Sequence, residues 1–277
     1  MSGAIAEAVA DGTLPGRVWM YANYHCNLEC TYCLTESSPT SDRRQLSGER
    51  MIEIAREAKE LGFTDLGVTG GEPFMAASMP ETLATLATIL PTVALTNATL
   101  FTEARLRRLE PLADLPIKLQ ISLDSHLPDE NDEARGADNF AAVVRAIPKL
   151  VERGIGVRIA TTIDHERDPK DAAALCALHR DLGVSDDDHL VRPIVRRGRA
   201  IDHDQGVVAT ERDLPAELTI TSDGAFWSPF GPTVHEGRLS TDLLIIRSTR
   251  PLRTSAEALR GLVLGAPQGT DSTLNIR

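Results

Sequence analysis

The alternation of short β-type runs with longer helical runs is the feature that most limits how this chain can fold. It begins near residue 17 and continues to about residue 200. Such alternation is typical of parallel strands joined by helices that cover the sheet. The stretch holds six strand-then-helix units, whereas a closed barrel of eight units normally needs about 250 residues. We therefore predict an α/β fold, a partial (β/α)6 TIM-like barrel with a small C-terminal β-containing extension.

Local signals mark the individual units. The six predicted strands are, in chain order, RVWMYANY, DLGVTGG, TVALTNA, IKLQISLD, GVRIATTI and HLVRPIV. Ser47 is a predicted N-cap, and Gly62 is predicted to end the same helix. In the fourth strand, the polar residues that alternate with apolar ones are Lys118, Gln120, Ser122 and Asp124. Since neighbouring side chains point to opposite faces of a strand, we expect a polar barrel interior that can hold a ligand.

The pattern divides the chain into three segments. Residues 1–16 form a short N-terminal extension with one predicted helix, and residues 17–200 form the barrel. Residues 201–277 form the C-terminal extension, where ELTITSDGAFWSPFG predicts a hairpin and TSAEALRGLVL predicts a final helix.

Composition narrows the class of protein. The formal net charge of −11 disfavours nucleic acid or an anionic membrane surface as the main partner. No run approaches the roughly 20 apolar residues of a membrane span, and the N-terminus lacks the pattern of a secretory signal. We expect a cytoplasmic protein that binds neither nucleic acid nor membrane.

Three of the four cysteines form a cluster, Cys26-x-x-x-Cys30-x-x-Cys33. In a chain without a signal peptide, such clustering indicates metal or redox chemistry instead of disulfides. Three thiolates could hold three irons of a [4Fe–4S] cluster and leave the fourth iron open at the barrel mouth. A zinc site with His25 as fourth ligand is the alternative. Cys176 lies alone in a helical pattern and is interpreted as a small buried thiol.

The spacing of Cys26, Cys30 and Cys33, on the loop after the first strand, resembles the signature of the radical S-adenosylmethionine (radical SAM) superfamily. The resemblance implies that the amine and carboxylate of SAM complete the fourth iron. The stretch TGGEP, residues 69–73, resembles the GGE motif of the same family. There the backbone of Gly70, Gly71 and Glu72 would receive the methionine ammonium group, with Pro73 ending the strand.

Further residues match the family at the exits of later strands. Those that the resemblance places at the cofactor are Tyr32, Asn97, Ser122, Asp124 and Arg135. Ser122 and Asp124 would face the SAM ribose or the substrate, and Arg135 would bind the SAM carboxylate. Ala98 departs from the family, which normally has glycine after Thr-Asn, so a close backbone approach there is an open question. RPIVRRGRA resembles the sixth-strand exit of the subgroup that includes the molybdenum-cofactor cyclase and the SPASM/twitch peptide maturases.

The same segment contains a group of arginines, Arg192, Arg196, Arg197 and Arg199. Arginine suits carboxylate or phosphate recognition. These side chains either bind substrate or form surface ion pairs with Asp202 and Asp204.

The extension resembles the start of the auxiliary-cluster domain of that subgroup, but it contains no cysteine, and Ser228 stands where one could follow the second hairpin strand. We therefore predict a single cluster and a cysteine-free SPASM/twitch-like extension. Phe226, Trp227 and Phe230 are interpreted as core of this small domain, with stacking on substrate as the alternative.

By this resemblance, the chain is a radical SAM enzyme. Its [4Fe–4S] cluster would reductively cleave SAM to a 5′-deoxyadenosyl radical that abstracts a hydrogen from the substrate. That substrate would be a ribosomal peptide, or a small natural-product or cofactor precursor. Against a peptide, the barrel begins near residue 17, which leaves no room for a leader-peptide domain. An electron donor such as flavodoxin or ferredoxin would be a partner. The alternative is a cluster-binding redox sensor or a degenerate non-catalytic homologue.

Overall fold

The structure is a computed structural model, and it describes residues 3–164 and 169–265. Six parallel strands run in sequence order, each hydrogen-bonded to the next. They are β1 (Arg17–Tyr21), β2 (Asp65–Thr69), β3 (Thr92–Thr96), β4 (Ile117–Ser122), β5 (Gly156–Ile163) and β6 (His189–Pro193). The helices are α1 (Ala4–Ala10), α2 (Gly48–Leu61), α3 (Met79–Ile89), α4 (Glu103–Leu109), α5 (Pro128–Arg135), α6 (Asn139–Val151), α7 (Pro169–Asp181) and α8 (Leu252–Gly265).

The extension continues the sheet instead of forming a separate layer. Its strands are β7 (Thr219–Ile220), β8 (Ala225–Phe226), β9 (Val234–His235), β10 (Arg238–Leu239) and β11 (Leu244–Ile246). β7 pairs in parallel with β1, so the nine-stranded order is β11-β8-β7-β1-β2-β3-β4-β5-β6. β9 and β10 form a separate hairpin. The partial barrel with a β-containing extension is confirmed; the three domain boundaries stay predictions.

The local signals operate as expected. The Ser47 hydroxyl accepts from the Arg50 backbone N–H at 3.1 Å, which satisfies one of the free N–H groups at the start of α2. Gly62 ends that helix in the left-handed region at a φ of 95°. The predicted hairpin is β7–β8, and the predicted final helix is α8.

The two faces of β4 also separate as predicted. Leu119, Ile121 and Leu123 are fully buried under the helices. On the opposite face, Ser122 lines a cavity at the carboxyl end of the sheet, and Lys118 lines a second one at the amino end. The barrel interior is therefore polar along this strand.

Within the described ranges, no helix is long and apolar enough to cross a membrane.

Candidate active site

A cavity opens at the carboxyl ends of the parallel strands, where β/α barrels bind their ligands. The segment after β1 that carries Cys26, Cys30 and Cys33 is called the cysteine loop. Its Cys30 and Cys33 line the cavity, and so does Arg192 at the end of β6. The sequence-predicted residues that line it are Cys30, Tyr32, Cys33, Gly70, Ser122 and Arg135.

The cysteine loop presents its sulfurs to nearby N–H donors. The Leu28 backbone N–H lies 3.4 Å from Cys26 Sγ. The Ser37 backbone N–H lies at the same distance from Cys33 Sγ, and Asn97 Nδ2 lies 3.7 Å from Cys26 Sγ. Donors of this kind stabilise thiolates and tune the iron–sulfur clusters that thiolates bind.

Burial raises the pKa of the Cys26 thiol to about 12 and that of the Cys30 thiol to about 11. These cysteines therefore stay protonated until a metal displaces the proton.

The spread of the sulfurs bears on the zinc alternative. Among the described residues, the one group of three or more His, Cys, Asp or Glu side chains with ligand atoms within 4.8 Å of one another is Glu36, Asp202 and His235. The three cysteine sulfurs do not meet this criterion, so at least two of them lie more than 4.8 Å apart. Ligands of a single zinc ion, bound at about 2.3 Å, lie closer together. The spacing suits a multi-iron cluster better than one ion.

Gly70 and Gly71 lie against the start of the cysteine loop. A Cβ on Gly70, which has a φ of 131°, would come within 2.3 Å of Asn23 O, and a Cβ on Gly71 would come equally close to His25 O. The Gly71 N–H donates to Asn23 O at 2.9 Å. The glycines are therefore needed where the exit of β2 crosses the cysteine loop, and Gly70 also lines the cavity.

Glu72 connects the exits of β2 and β3. Its buried carboxylate accepts from the backbone N–H groups of Phe74 at 2.9 Å and Asn97 at 2.7 Å, and from the Thr96 hydroxyl. Burial raises the pKa of Glu72 to about 7, although these hydrogen bonds favour the charged form and lower the pKa. Pro73 opens a short 3₁₀ turn directly after it. The Glu72 side chain thus positions Asn97, which in turn contacts Cys26.

Ala98 occupies the position where the family has glycine. It is buried and adopts a φ of 57°, in the left-handed region that costs an L-residue about 1–2 kcal/mol. The backbone keeps a glycine-like conformation although the residue has a Cβ.

Three residues predicted to bind the cofactor contact one another. The Asp124 carboxylate accepts from Arg135 Nε at 2.6 Å, from the Thr162 backbone N–H at 2.8 Å and from the Tyr32 hydroxyl. The Arg135 guanidinium carbon also lies 5.4 Å from the centre of the Tyr32 ring. Tyr32 and Arg135 line the cavity, whereas Asp124 lies behind them. Asp124 therefore orients two cavity residues from outside the cavity.

The four arginines separate into different environments. Arg192 lines the cavity. Arg196 pairs with Asp204 at 2.7 Å, one of the surface pairs weighed from the sequence, and Arg197 pairs with Asp242. Arg199 contacts the cysteine loop instead.

Sequence reasoning missed Trp19 and Tyr21, which line the cavity from β1. They share one face of that strand, so the alternation that was used for β4 could have found them. Of the extension aromatics, Phe226 is fully buried core and Trp227 is nearly so, whereas Phe230 reaches the cavity.

Comparison with known proteins agrees with this site. The Radical SAM superfamily model matches residues 20–175. A probable GTP 3′,8-cyclase of Archaeoglobus fulgidus is 31% identical over 131 residues, 47% of this chain and 43% of that protein. The GTP 3′,8-cyclase of Syntrophomonas wolfei is 34% identical over 132 residues, 46% of this chain and 40% of that protein. The match thus spans less than half the length of these relatives.

Two solved structures share the fold. Streptococcus suis SuiB bound to S-adenosylmethionine has a TM-score of 0.57 at 20% identity, covering 68% of this chain and 43% of SuiB. Native anSMEcpe with bound AdoMet has a TM-score of 0.56 at 15% identity, covering 87% of this chain and 80% of that chain.

The partial barrel and the cysteine loop at its mouth define a cofactor-dependent α/β enzyme. Because the family model covers more than half of its residues, the chain belongs to the radical SAM superfamily. This confirms the predicted enzyme class and the predicted cofactors, a [4Fe–4S] cluster and SAM.

Proposed function

We propose that Cys26, Cys30 and Cys33 hold the [4Fe–4S] cluster and that the adjoining cavity binds SAM and a small anionic substrate. The observation that carries this proposal is that Cys30, Cys33 and Arg192 line the same cavity. When bound, the cluster supplies the electron that cleaves SAM and so generates the radical that abstracts a hydrogen. The chain's own residues bind and orient SAM and the substrate, and they exclude water.

The donor set fits the cluster. The three thiols lie on one loop, and the Leu28 and Ser37 N–H groups point at the sulfurs of Cys26 and Cys33. Both donors belong to the loop itself, so the sulfur-directed hydrogen bonds form as the loop folds. Such bonds favour the charged thiolate over the neutral thiol.

SAM is proposed to lie between the cysteine loop and the exits of β2 and β4. The backbone carbonyls of Gly70 and Gly71 would accept from the methionine ammonium group, because an ammonium only donates. Arg135 would bind the carboxylate, and its orientation is set by Asp124. Tyr32 and Ser122, which line the same cavity, would contact the nucleoside part.

The charge of the cavity selects the substrate class. No aspartate or glutamate is among the described residues that line it, whereas Arg192 and Arg135 are. Arg135 is neutralised by Asp124, but no ion pair within the described residues includes Arg192. Burial lowers the pKa of Arg192, although Tyr32 and Asp124 oppose the shift. A phosphate or carboxylate on the substrate would bring a negative charge to Arg192.

A small molecule is favoured over a peptide. The curated relatives are named GTP 3′,8-cyclases, and a nucleotide has both the anionic groups for Arg192 and a planar base for the aromatic wall of Trp19, Tyr21 and Phe230. SuiB has been solved with the precursor peptide SuiA, and anSMEcpe with a Cp18Cys peptide. At 20% and 14% sequence identity to this chain, these two proteins support a shared fold and not a shared substrate.

The test begins with anaerobic reconstitution, iron counting and SAM cleavage with a strong reductant. About four irons per chain and formation of 5′-deoxyadenosine are expected; no iron, or iron without SAM cleavage, would overturn the proposal. Binding of GTP and of guanosine to the holoenzyme is then compared, in the wild type and in Arg192→Gln.

For the wild type we expect GTP to bind at least tenfold more tightly than guanosine, about 1.4 kcal/mol. In Arg192→Gln this difference should shrink. Equal binding of both ligands to the wild type would reject an anionic nucleotide and direct the search to peptides. A flavodoxin or ferredoxin as the electron donor is proposed on the resemblance alone.

A further inference from the structure

The segment after β6 lies directly on the backbone of the cysteine loop. The Arg199 backbone N–H donates to Cys33 O at 3.0 Å. At Gly198, which has a φ of 59°, a Cβ would come within 2.3 Å of Leu34 O and 2.6 Å of Cys33 O. No side chain fits between the two segments, so the loop rests on this turn without an intervening layer.

The Arg199 side chain bridges two carbonyls of the cysteine loop. Its Nη1 donates to Cys30 O at 2.7 Å, and its Nη2 donates to Ser37 O at 3.2 Å. The first carbonyl belongs to Cys30, and Cys33 lies between the two. A planar guanidinium that holds two carbonyls fixes their separation, which the point charge of a lysine cannot do.

The charge of Arg199 is not cancelled by a carboxylate. None of the ion pairs in the described part of the chain includes Arg199, whereas its neighbours Arg196 and Arg197 pair with Asp204 and Asp242. Arg199 is half-buried, so water screens its charge only partly. Net charge and hydrogen bonding around an iron–sulfur cluster set its reduction potential.

We propose that Arg199 is a positioning residue for the cluster, one that clamps the loop bearing Cys30 and Cys33 and favours the reduced cluster through its uncompensated positive charge. Reduction adds one negative charge to the cluster, and a nearby cation stabilises the reduced form more than the oxidised one. The inference rests on the proposed cluster site and extends it to a residue that binds neither iron nor SAM.

The test uses reconstituted holoenzyme of the wild type, Arg199→Gln, Arg199→Lys and the matched control Arg196→Gln. Two quantities are measured: the midpoint potential of the cluster in a redox titration followed by electron paramagnetic resonance, and the rate of iron release to a chelator. Neither depends on substrate or turnover.

In Arg199→Gln, we expect the equilibrium constant for one-electron reduction to fall about tenfold, which is a midpoint potential about 59 mV lower. Iron release should be at least tenfold faster. Arg199→Lys should keep most of the potential, because the charge remains, but should release iron faster than the wild type because the clamp is lost. Arg196→Gln should match the wild type in both measurements.

An Arg199→Gln protein with wild-type potential and wild-type iron release would overturn the inference. If Arg199→Gln holds no iron, circular dichroism decides: a folded, iron-free protein supports the clamp, and an unfolded one rejects a role specific to the loop. A wild-type chain that takes up no iron would instead reject the proposed cluster site itself, so the two failures are distinguishable.

Discussion

Arg135 Nε donates to Asp124 Oδ2 at 2.6 Å, which joins the last residue of α5 to the segment that follows β4. Both side chains are more than nine-tenths buried, and the Tyr32 hydroxyl donates to the same carboxylate. The pair therefore ties the cysteine loop, through Tyr32, to the exit of β4. The family resemblance places Asp124 and Arg135 at the ligand as two separate contacts. In the structure, Asp124 instead holds Arg135 in position.

Replacing Asp124 by asparagine should destabilise the protein strongly. The change leaves the buried Arg135 cation without its partner, and breaking such a pair costs about 3–5 kcal/mol. We expect the free energy of unfolding in urea to fall by about 3 kcal/mol. The matched control is Asp204→Asn, whose pair with Arg196 is exposed and should cost less than about 1 kcal/mol. Similar losses in the two variants would contradict the supporting role of Asp124.

Replacing a cysteine of the cysteine loop should remove bound iron on reconstitution, whereas replacing Cys176 should not. Cys30→Ser is expected to lower bound iron from about four per chain to less than one, because serine is a poor ligand for iron–sulfur clusters. Cys176→Ser, in α7, should keep the wild-type iron content, since Cys176 does not line the cavity. Iron and labile sulfide are measured on matched anaerobic preparations. Loss of iron in Cys176→Ser with retention in Cys30→Ser would refute the assignment.

The backbone at Ala98 should tolerate glycine but not a β-branched residue. Ala98→Gly relieves the left-handed strain, about 1 kcal/mol, but loses a buried methyl group of about 0.8 kcal/mol. We therefore expect little change in the free energy of unfolding. Ala98→Val should cost about 2 kcal/mol or more, because a β-branched residue at positive φ is strongly disfavoured. The free energy of unfolding of both variants is measured by denaturant titration. If Ala98→Val is as stable as Ala98→Gly, residue 98 does not have a left-handed backbone.

His179, on α7, should make stability fall under mildly acidic conditions. Burial, followed by the neighbouring His189, lowers the pKa of His179 to about 3, whereas an unfolded histidine titrates near pH 6.5. Between these values the unfolded state binds more protons, so stability is full above about pH 6.5 and is lost as the pH falls towards 3. From pH 7 to pH 5 the loss attributable to His179 is up to about 2 kcal/mol.

The measurement is urea unfolding of the iron-free protein at both pH values. His179→Phe should remove this part of the pH dependence, while His203→Phe, at an exposed position, should leave it unchanged. A wild-type pH dependence that persists in His179→Phe would show that other groups cause it.

The sequence by itself determined the six barrel strands and their order. The hydrophobic periodicity, the Ser47 cap and the terminating Gly62 are local signals, readable within a few residues because hydrogen bonding and side-chain direction repeat along one helix or strand. The alternation in β4 predicted its two faces for the same reason, and the cysteine spacing placed the chemistry on the loop after β1.

Only the tertiary structure decided which side chains meet. Asp124 and Tyr32 are 92 positions apart, and Arg199 lies 169 positions from Cys30. No periodicity connects residues so distant, because their contact depends on how the strand exits are arranged around the barrel. Arg192, Arg196, Arg197 and Arg199 look equivalent in the sequence. The fold turns one into the cavity, two to surface carboxylates and one onto the cysteine loop, because each leaves the exit of β6 in a different direction.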